Sequence, residues 1–146
     1  MTKSLLTDWS VGKYTHTLCM AIFEAGDTTR AEFVVAMPTF EDFLALDLRV
    51  GRIVQVELFP EARRPAYKLW IDFGSELGIK QSSAQITERY QPVELVGRLI
   101  IAVVNMPPKR VAGFTSEVLV LGVPDEHGAV VLLRPDAEVP LGGRVF

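Results

Sequence analysis

The sequence predicts an all-β fold, a small closed β-barrel with short helices. Three observations predict it. About five segments carry strand patterns, either strict apolar alternation or a short, uninterrupted apolar run. The first of them contains Gly51, and a glycine inside a strand marks a bulge or a tight bend of the kind a barrel corner requires. The helical signals are short, and most fall between the third and fourth strands.

The composition bounds what such a barrel can be. At 146 residues, with 49% hydrophobic and 23% charged residues, the chain is long enough for one globular domain with a sizeable core. A net charge of −3 argues against a protein whose whole surface binds nucleic acid, while leaving room for a local basic patch. A single cysteine excludes an internal disulfide framework and fits a reducing compartment. No apolar run comes near the roughly 18 residues of a membrane span, and no membrane insertion is expected. Neither an internal repeat nor a low-complexity tract is present.

The first 36 residues show no clear pattern. Lys3 with Leu5 and Leu6 hints at a signal peptide, but Thr7, Asp8 and Ser10 interrupt any apolar region. Ser10 and Lys13 form a Ser-x-x-Lys pattern, and His16 with Cys19 offers two metal ligands. Both are short patterns without partners, since there is no second cysteine and His127 stands alone. Met37 is a cleaner start. Residues 1–36 are expected to be an extension of unknown role or the product of a misassigned translation start, and residues 37–146 the domain.

Elements follow in order. Thr39 with Asp42 resembles a capping box, and Phe40, Phe43, Leu44 and Leu46 share one face of the short helix it opens. That face is either a lid on the core or a dimer contact. The first strand has Leu48, Val50, Val54, Val56 and Leu58 on its apolar side, with the alternation broken at Arg52 and Ile53. Phe59 and Pro60 close it, and a loop follows with Arg63 and Arg64. Tyr67, Leu69, Ile71 and Phe73 then alternate with Lys68, Trp70 and Asp72. Trp70 therefore falls on the polar face, where an aromatic either packs under the N-terminal segment or lines an interface or groove; ordinary packing is the expectation.

After a turn at residues 74–78 comes the run Ile79-Lys80-Gln81-Ser82-Ser83-Ala84-Gln85-Ile86-Thr87. Its serines can cap a short helix over residues 84–90, or its polar groups can face a ligand. Pro92 and Gly97 bracket a further short helix. Residues 99–104 are an apolar run suited to a strand buried on both faces. Residues 129–133 form a last buried strand, followed by a Pro- and Gly-rich tail.

Between two of these strands sits the segment 105–117. Asn105 ends the first apolar run, and Pro107 and Pro108 supply no backbone donor, so the strand cannot continue through them. Lys109 and Arg110 follow, Gly113 permits a sharp bend, and residues 118–121 lead back into the sheet. A polar, basic loop mounted on rigid strands is the best candidate for carrying function. Strand number and bend suggest a barrel of the OB type. Periodicity alone does not separate it from an SH3-like barrel.

A resemblance decides between them. The segments Leu46-Asp47-Leu48-Arg49-Val50-Gly51, Phe59-Pro60-Glu61-Ala62-Arg63, Ile71-Asp72-Phe73-Gly74, GIKQSSAQIT over residues 78–87 and NMPPKRVAGFTSEVLVLG over residues 105–122 resemble, in this order, the CsaA branch of the tRNA-binding-domain family. The wider family includes domains appended to methionyl- and phenylalanyl-tRNA synthetases and free-standing tRNA-binding proteins. Those typically carry an Ile-Val-Ser-Gly type sequence where this chain has Ser82-Ser83-Ala84-Gln85, and Gly-Met where it has Val118-Leu119. These departures favour the CsaA branch of export-related chaperones.

The resemblance implies an OB-fold homodimer in the cytoplasm that binds unfolded or presecretory polypeptides without ATP hydrolysis, with the export translocase as a further partner. The residues agree with a binding module rather than an enzyme: there is no Gly-x-x-x-x-Gly-Lys-Ser/Thr cradle, nucleophile elbow or metal set, and no cofactor is expected. Lys80, Gln81, Ser82, Ser83, Gln85, Asn105, Ser116 and Glu117 are the candidates for orienting a peptide, with Phe59, Met106 and Phe114 as apolar contacts. Buried packing is the alternative for these three, and satisfying the turn backbone the alternative for Asn105. The rival expectation is structure-specific tRNA binding through Arg63, Arg64, Lys80, Lys109 and Arg110. After residue 36 there are 12 basic against 14 acidic residues, an unpromising balance for an RNA binder, although charge placement matters more than the total.

Overall fold

In the computed structural model, which describes residues 37–146, the capping box forms as the spacing predicts. The Thr39 backbone N–H donates to the Asp42 carboxylate at 2.6 Å, and the Asp42 N–H donates to Thr39 Oγ1 at 3.3 Å, opening α1 (Phe40–Ala45). The Thr39 backbone N–H first, and then the Thr39 hydroxyl, which donates to the same carboxylate at 3.0 Å, hold the Asp42 carboxyl below the usual carboxylate range. No residue of α1 is buried, so it is not a lid on the core. The expectations for Ser10, Lys13, His16 and Cys19 fall outside the described residues.

The main sheet runs β3-β2-β1-β4-β7, antiparallel throughout. Its strands are β1 (Leu48–Leu58), β2 (Tyr67–Asp72), β3 (Ile79–Ala84), β4 (Leu99–Val103) and β7 (Leu119–Val120), with α2 (Pro92–Leu95) between β3 and β4. Two small hairpins complete it: β5 (Lys109–Val111) with β6 (Phe114–Ser116), and β8 (Gly122–Pro124) with β9 (Val130–Leu132). This is a nearly closed five-stranded antiparallel barrel of the OB type, as expected.

β1 makes the barrel possible by changing partners. Its first half pairs with β4, from Leu48 opposite Val103 to Arg52 opposite Leu99. Its second half pairs with β2, from Arg52 opposite Asp72 to Leu58 opposite Tyr67, with a bulge between Ile53 and Gln55. The bulge interrupts the alternation locally: Ile53 is buried and Val54, expected on the apolar side, is exposed. Val56, opposite Leu69, packs against the core as expected, and Leu58, at the strand's end, is exposed. The C-terminal tail covers the β1 edge that β2 leaves, with Val50 N–H donating to Gly143 O at 2.9 Å, Gly142 N–H to Val50 O at 2.8 Å and Val145 N–H to Leu48 O at 2.9 Å.

Tyr67, Leu69, Ile71 and Phe73 fill the interior with Ile53, Ile86, Tyr90, Leu95, Ile100 and Ala102. The helix expected over residues 84–90 is absent. β3 runs to Ala84, paired residue by residue with β2, and only a turn follows, closed by Tyr90 N–H to Ile86 O at 3.2 Å. Pairing with β2 draws the chain into strand through Ala84, and the turn that follows buries both Ile86 and Tyr90. The last strand is half-buried rather than buried, because β9 belongs to a two-stranded hairpin.

Candidate functional site

The outer face of the sheet is built by alternation. With Tyr67, Leu69 and Ile71 inward, β2 must present Lys68, Trp70 and Asp72 outward. Residues at paired register positions share a face. One row therefore reads Gln55, Trp70, Gln81 across β1, β2 and β3, and the next reads Glu57, Lys68, Ser83.

Onto this face leans Phe114. Pro107 and Pro108 stop β4 from continuing, and the chain returns through a two-residue turn at Ala112 and Gly113, with φ of 45° and 86°. Two positive φ values in succession match the twist of a tight hairpin. Phe114, the first residue after the turn, pairs with Val111. Its ring lies 5.6 Å from Phe59 and 5.9 Å from Trp70, edge-on to both. Lys68 Nζ sits 4.8 Å from the Phe59 ring and 5.7 Å from that of Phe114, and 3.7 Å from the Glu61 carboxylate. Each aromatic pair adds about 0.5–1.5 kcal/mol beyond area burial, so the cluster ties the β1–β2 loop to the β5–β6 hairpin. In OB barrels this strand face and these two loops form the usual ligand surface.

The polar candidates divide. Ser82, Ser83, Gln81, Ser116 and Glu117 meet at the seam where β3 approaches β6, but they bond mainly to one another. Ser82, 1% exposed, donates to Val118 O at 2.8 Å and lies 3.1 Å from Ser116 Oγ. Ser83 N–H donates to Ser116 Oγ at 3.2 Å, and Gln81 N–H to Glu117 Oε2 at 3.0 Å. Glu117 N–H returns a bond to Gln81 O at 2.8 Å. These bonds close the barrel through side chains where no regular ladder forms. Alternation puts Gln81 and Ser83 on the face of Trp70, and Lys80 and Ser82 on the other, where Lys80 lies 3.8 Å from Glu117.

Asn105 lies apart from this cluster. Its Oδ1 accepts from Asp47 N–H at 2.9 Å and its Nδ2 donates to Ala45 O at 2.8 Å, which fastens the α1–β1 joint to the end of β4. Asp47 in turn holds Arg49 at 2.6 Å, and this hydrogen bond raises the guanidinium pKa above its usual value. Met106, next in the chain, is half-buried. Gln85 and Arg64, drawn from rival expectations, line one cleft of about 260 Å³ with Thr87, Glu88 and residues 128–130. Arg63 and Arg64 are exposed on the β1–β2 loop, Lys109 and Arg110 on the hairpin. Among the described residues no group of three or more His, Cys, Asp and Glu could hold a metal ion, and no helix is long and apolar enough to cross a membrane.

Sequence reasoning passed over Lys68 as a site residue and took Trp70 for packing. Trp70 does pack, against Phe114, but on the outer face. The signal was the alternation of β2 itself, which places an indole among polar neighbours.

Known proteins share this architecture. The chaperone CsaA from Bacillus anthracis str. Ames superposes with a TM-score of 0.72 at 63% identity, over 76% of this chain and 100% of that one. The CsaA chaperone from Picrophilus torridus gives 0.71 at 53% identity, over 75% of this chain and 100% of that one. The methionine–tRNA ligase of Thermococcus kodakarensis is 38% identical over 107 residues, 73% of this chain, but the match spans only 14% of the ligase. Residues 48–144 match the family described as a putative tRNA binding domain, and with these relatives beside it the chain belongs to that tRNA-binding-domain family.

Proposed function

We propose that this protein is an ATP-independent chaperone that binds unfolded or presecretory polypeptides in the cytoplasm in connection with export. The observation that carries the reading is the half-buried pair Trp70 and Phe114 on an outer face whose charges are mixed and paired. Phe59, 2% exposed, is packed beneath Phe114 as a support and not as a contact surface. Glu57 and Asp72 share that face with Lys68, and Lys68 is engaged by Glu61. Such a surface suits a neutral extended chain offering apolar side chains better than a polyanion. Similarity to two CsaA chaperones over their full lengths supports it. Binding the unfolded state delays folding by mass action, with no need for a nucleotide. The protein acts as a binding module, without catalysis or a cofactor.

A second reading, tRNA binding, is favoured by the family match and by the exposed Arg63, Arg64, Lys109 and Arg110 on the two loops flanking the face. Titration with a reduced, carboxymethylated polypeptide and with bulk tRNA, each across a salt series, separates the two. Polypeptide binding with a shallow salt response is expected. Tight tRNA binding with a steep slope, and no polypeptide binding, would overturn the chaperone reading.

The same proposal includes a homodimer. Phe40 is 68% exposed and Phe146 fully so, with Leu44 and Leu46 also exposed. Arg144 donates to Leu44 O at 2.9 Å, which brings the tail beside α1. An apolar helix face beside an apolar terminus supports a contact around a twofold axis. Sedimentation at micromolar concentration is expected to give a dimer, and a chain started at Met37 to fold and sediment alike; a monomer throughout would remove the claim.

A further inference from the structure

The row Gln55, Trp70, Gln81 is an indole between two primary amides, at the centre of the outer face. We propose that Trp70 is the specificity-determining residue of this face. It takes one aromatic or large aliphatic side chain of an extended polypeptide, while Gln55 and Gln81 hydrogen-bond the polypeptide main chain on either side. The inference rests on the polypeptide-binding reading above and gives it a footprint.

Three observations carry it. The first is position. Trp70 is half-buried on the middle strand of three, braced edge-on by Phe114 at 5.9 Å. A braced indole offers contact area at little entropic cost, whereas a floppy side chain must first be ordered. The second is the chemistry of the flanks. A primary amide both donates and accepts, as a peptide unit does, while phosphate oxygens only accept. Gln55 Nε2 donates to Glu57 Oε1 at 2.7 Å, which orients that amide and leaves it a second N–H and a carbonyl. Glu57, exposed beside it, repels a phosphate backbone.

The third is spacing. Strands lie about 4.7–4.9 Å apart, so the β1 and β3 positions of the row are separated by about 9–10 Å. An extended chain rises about 3.3 Å per residue, so three residues cross the row. The central residue then meets the indole, and the main chain of its neighbours meets the two amides. Only the central side chain is read, and its neighbours are free to vary. This meets a chaperone's need for a short, common motif.

The test uses the full chain carrying Trp9→Phe, which leaves Trp70 as its one tryptophan of an original two. Nine-residue peptides of Gly, Ser and Thr with Phe, Leu or Ala at the centre are titrated while indole emission is followed, with a reduced, carboxymethylated polypeptide alongside. Saturable change in emission is expected with the Phe and Leu peptides, with affinity about tenfold or more above that of the Ala peptide. Trp70→Ala should bring the Phe peptide down to the Ala level, and Trp70→Phe should retain most of the preference. The peptide series on the Trp9→Phe chain reads the preference even if Trp70→Ala fails to fold. Equal affinity for all three peptides, or no peptide binding while the carboxymethylated polypeptide binds, overturns this inference and leaves the chaperone reading standing. No binding of the carboxymethylated polypeptide overturns both.

Discussion

Gly51→Ala is expected to destabilise the barrel by about 1–3 kcal/mol, the usual cost of forcing an extra group into a packed core. A Cβ at residue 51 would lie 2.5 Å from Ile71 Cγ2 and 2.7 and 2.9 Å from two carbons of the Phe73 ring. Both neighbours are fully buried, so neither can swing into solvent. Nor can the backbone retreat easily. Gly51 is held opposite Ile100 on β4, and the tail grips Val50 beside it. The clash falls where β1 passes from one partner to the other, and strain there reaches both halves of the sheet. A lowered urea midpoint with an unchanged slope would register the loss. An unchanged midpoint would mean that Phe73 has room to move, and the account of the crossover would be wrong.

Phe114→Ala is expected to weaken polypeptide binding by about 1–3 kcal/mol, the range for a residue at the centre of an interface. The ring touches both Phe59 and Trp70, so its removal opens the platform without emptying the barrel interior. Phe114 is only half-buried and stands on the β5–β6 hairpin, and a melt by circular dichroism should show the variant folded. The double change Lys109→Ala, Arg110→Ala should leave polypeptide affinity nearly unchanged, because exposed charges contribute little to an apolar contact. For tRNA the order reverses. Losing both charges would then flatten the salt slope by up to about two phosphate contacts, and losing the ring would matter less. If the double variant is the more damaging one for polypeptide, the assignment of the aromatic face is wrong.

Both experiments probe features of different legibility. By itself the sequence determined the barrel class, the capping box at Thr39, the inward set Tyr67, Leu69, Ile71 and Phe73, the α2 boundaries at Pro92 and Gly97, and the family. These are local matters: periodicity, capping and turn chemistry act within a few residues, so the residues that decide them lie side by side in the chain. It also marked Phe59 and Phe114 as candidates, but not that they touch.

Only the tertiary structure decided the rest. The bulge that exposed Val54, the extension of β3 through Ser82 and Ser83, and the tail on the β1 edge all depend on partners distant in the chain. In the sequence Ser82 and Ser83 suit a helix cap as readily as a strand. They are strand because β2 pairs with them on one side, and Ser116 and Val118 satisfy them on the other. The polar candidates look alike as a list, yet a period of two sends Gln81 toward Trp70 and Ser82 into the seam. Composition carries no information on which face a side chain takes; register does, and register is set by hydrogen bonds between strands far apart in sequence.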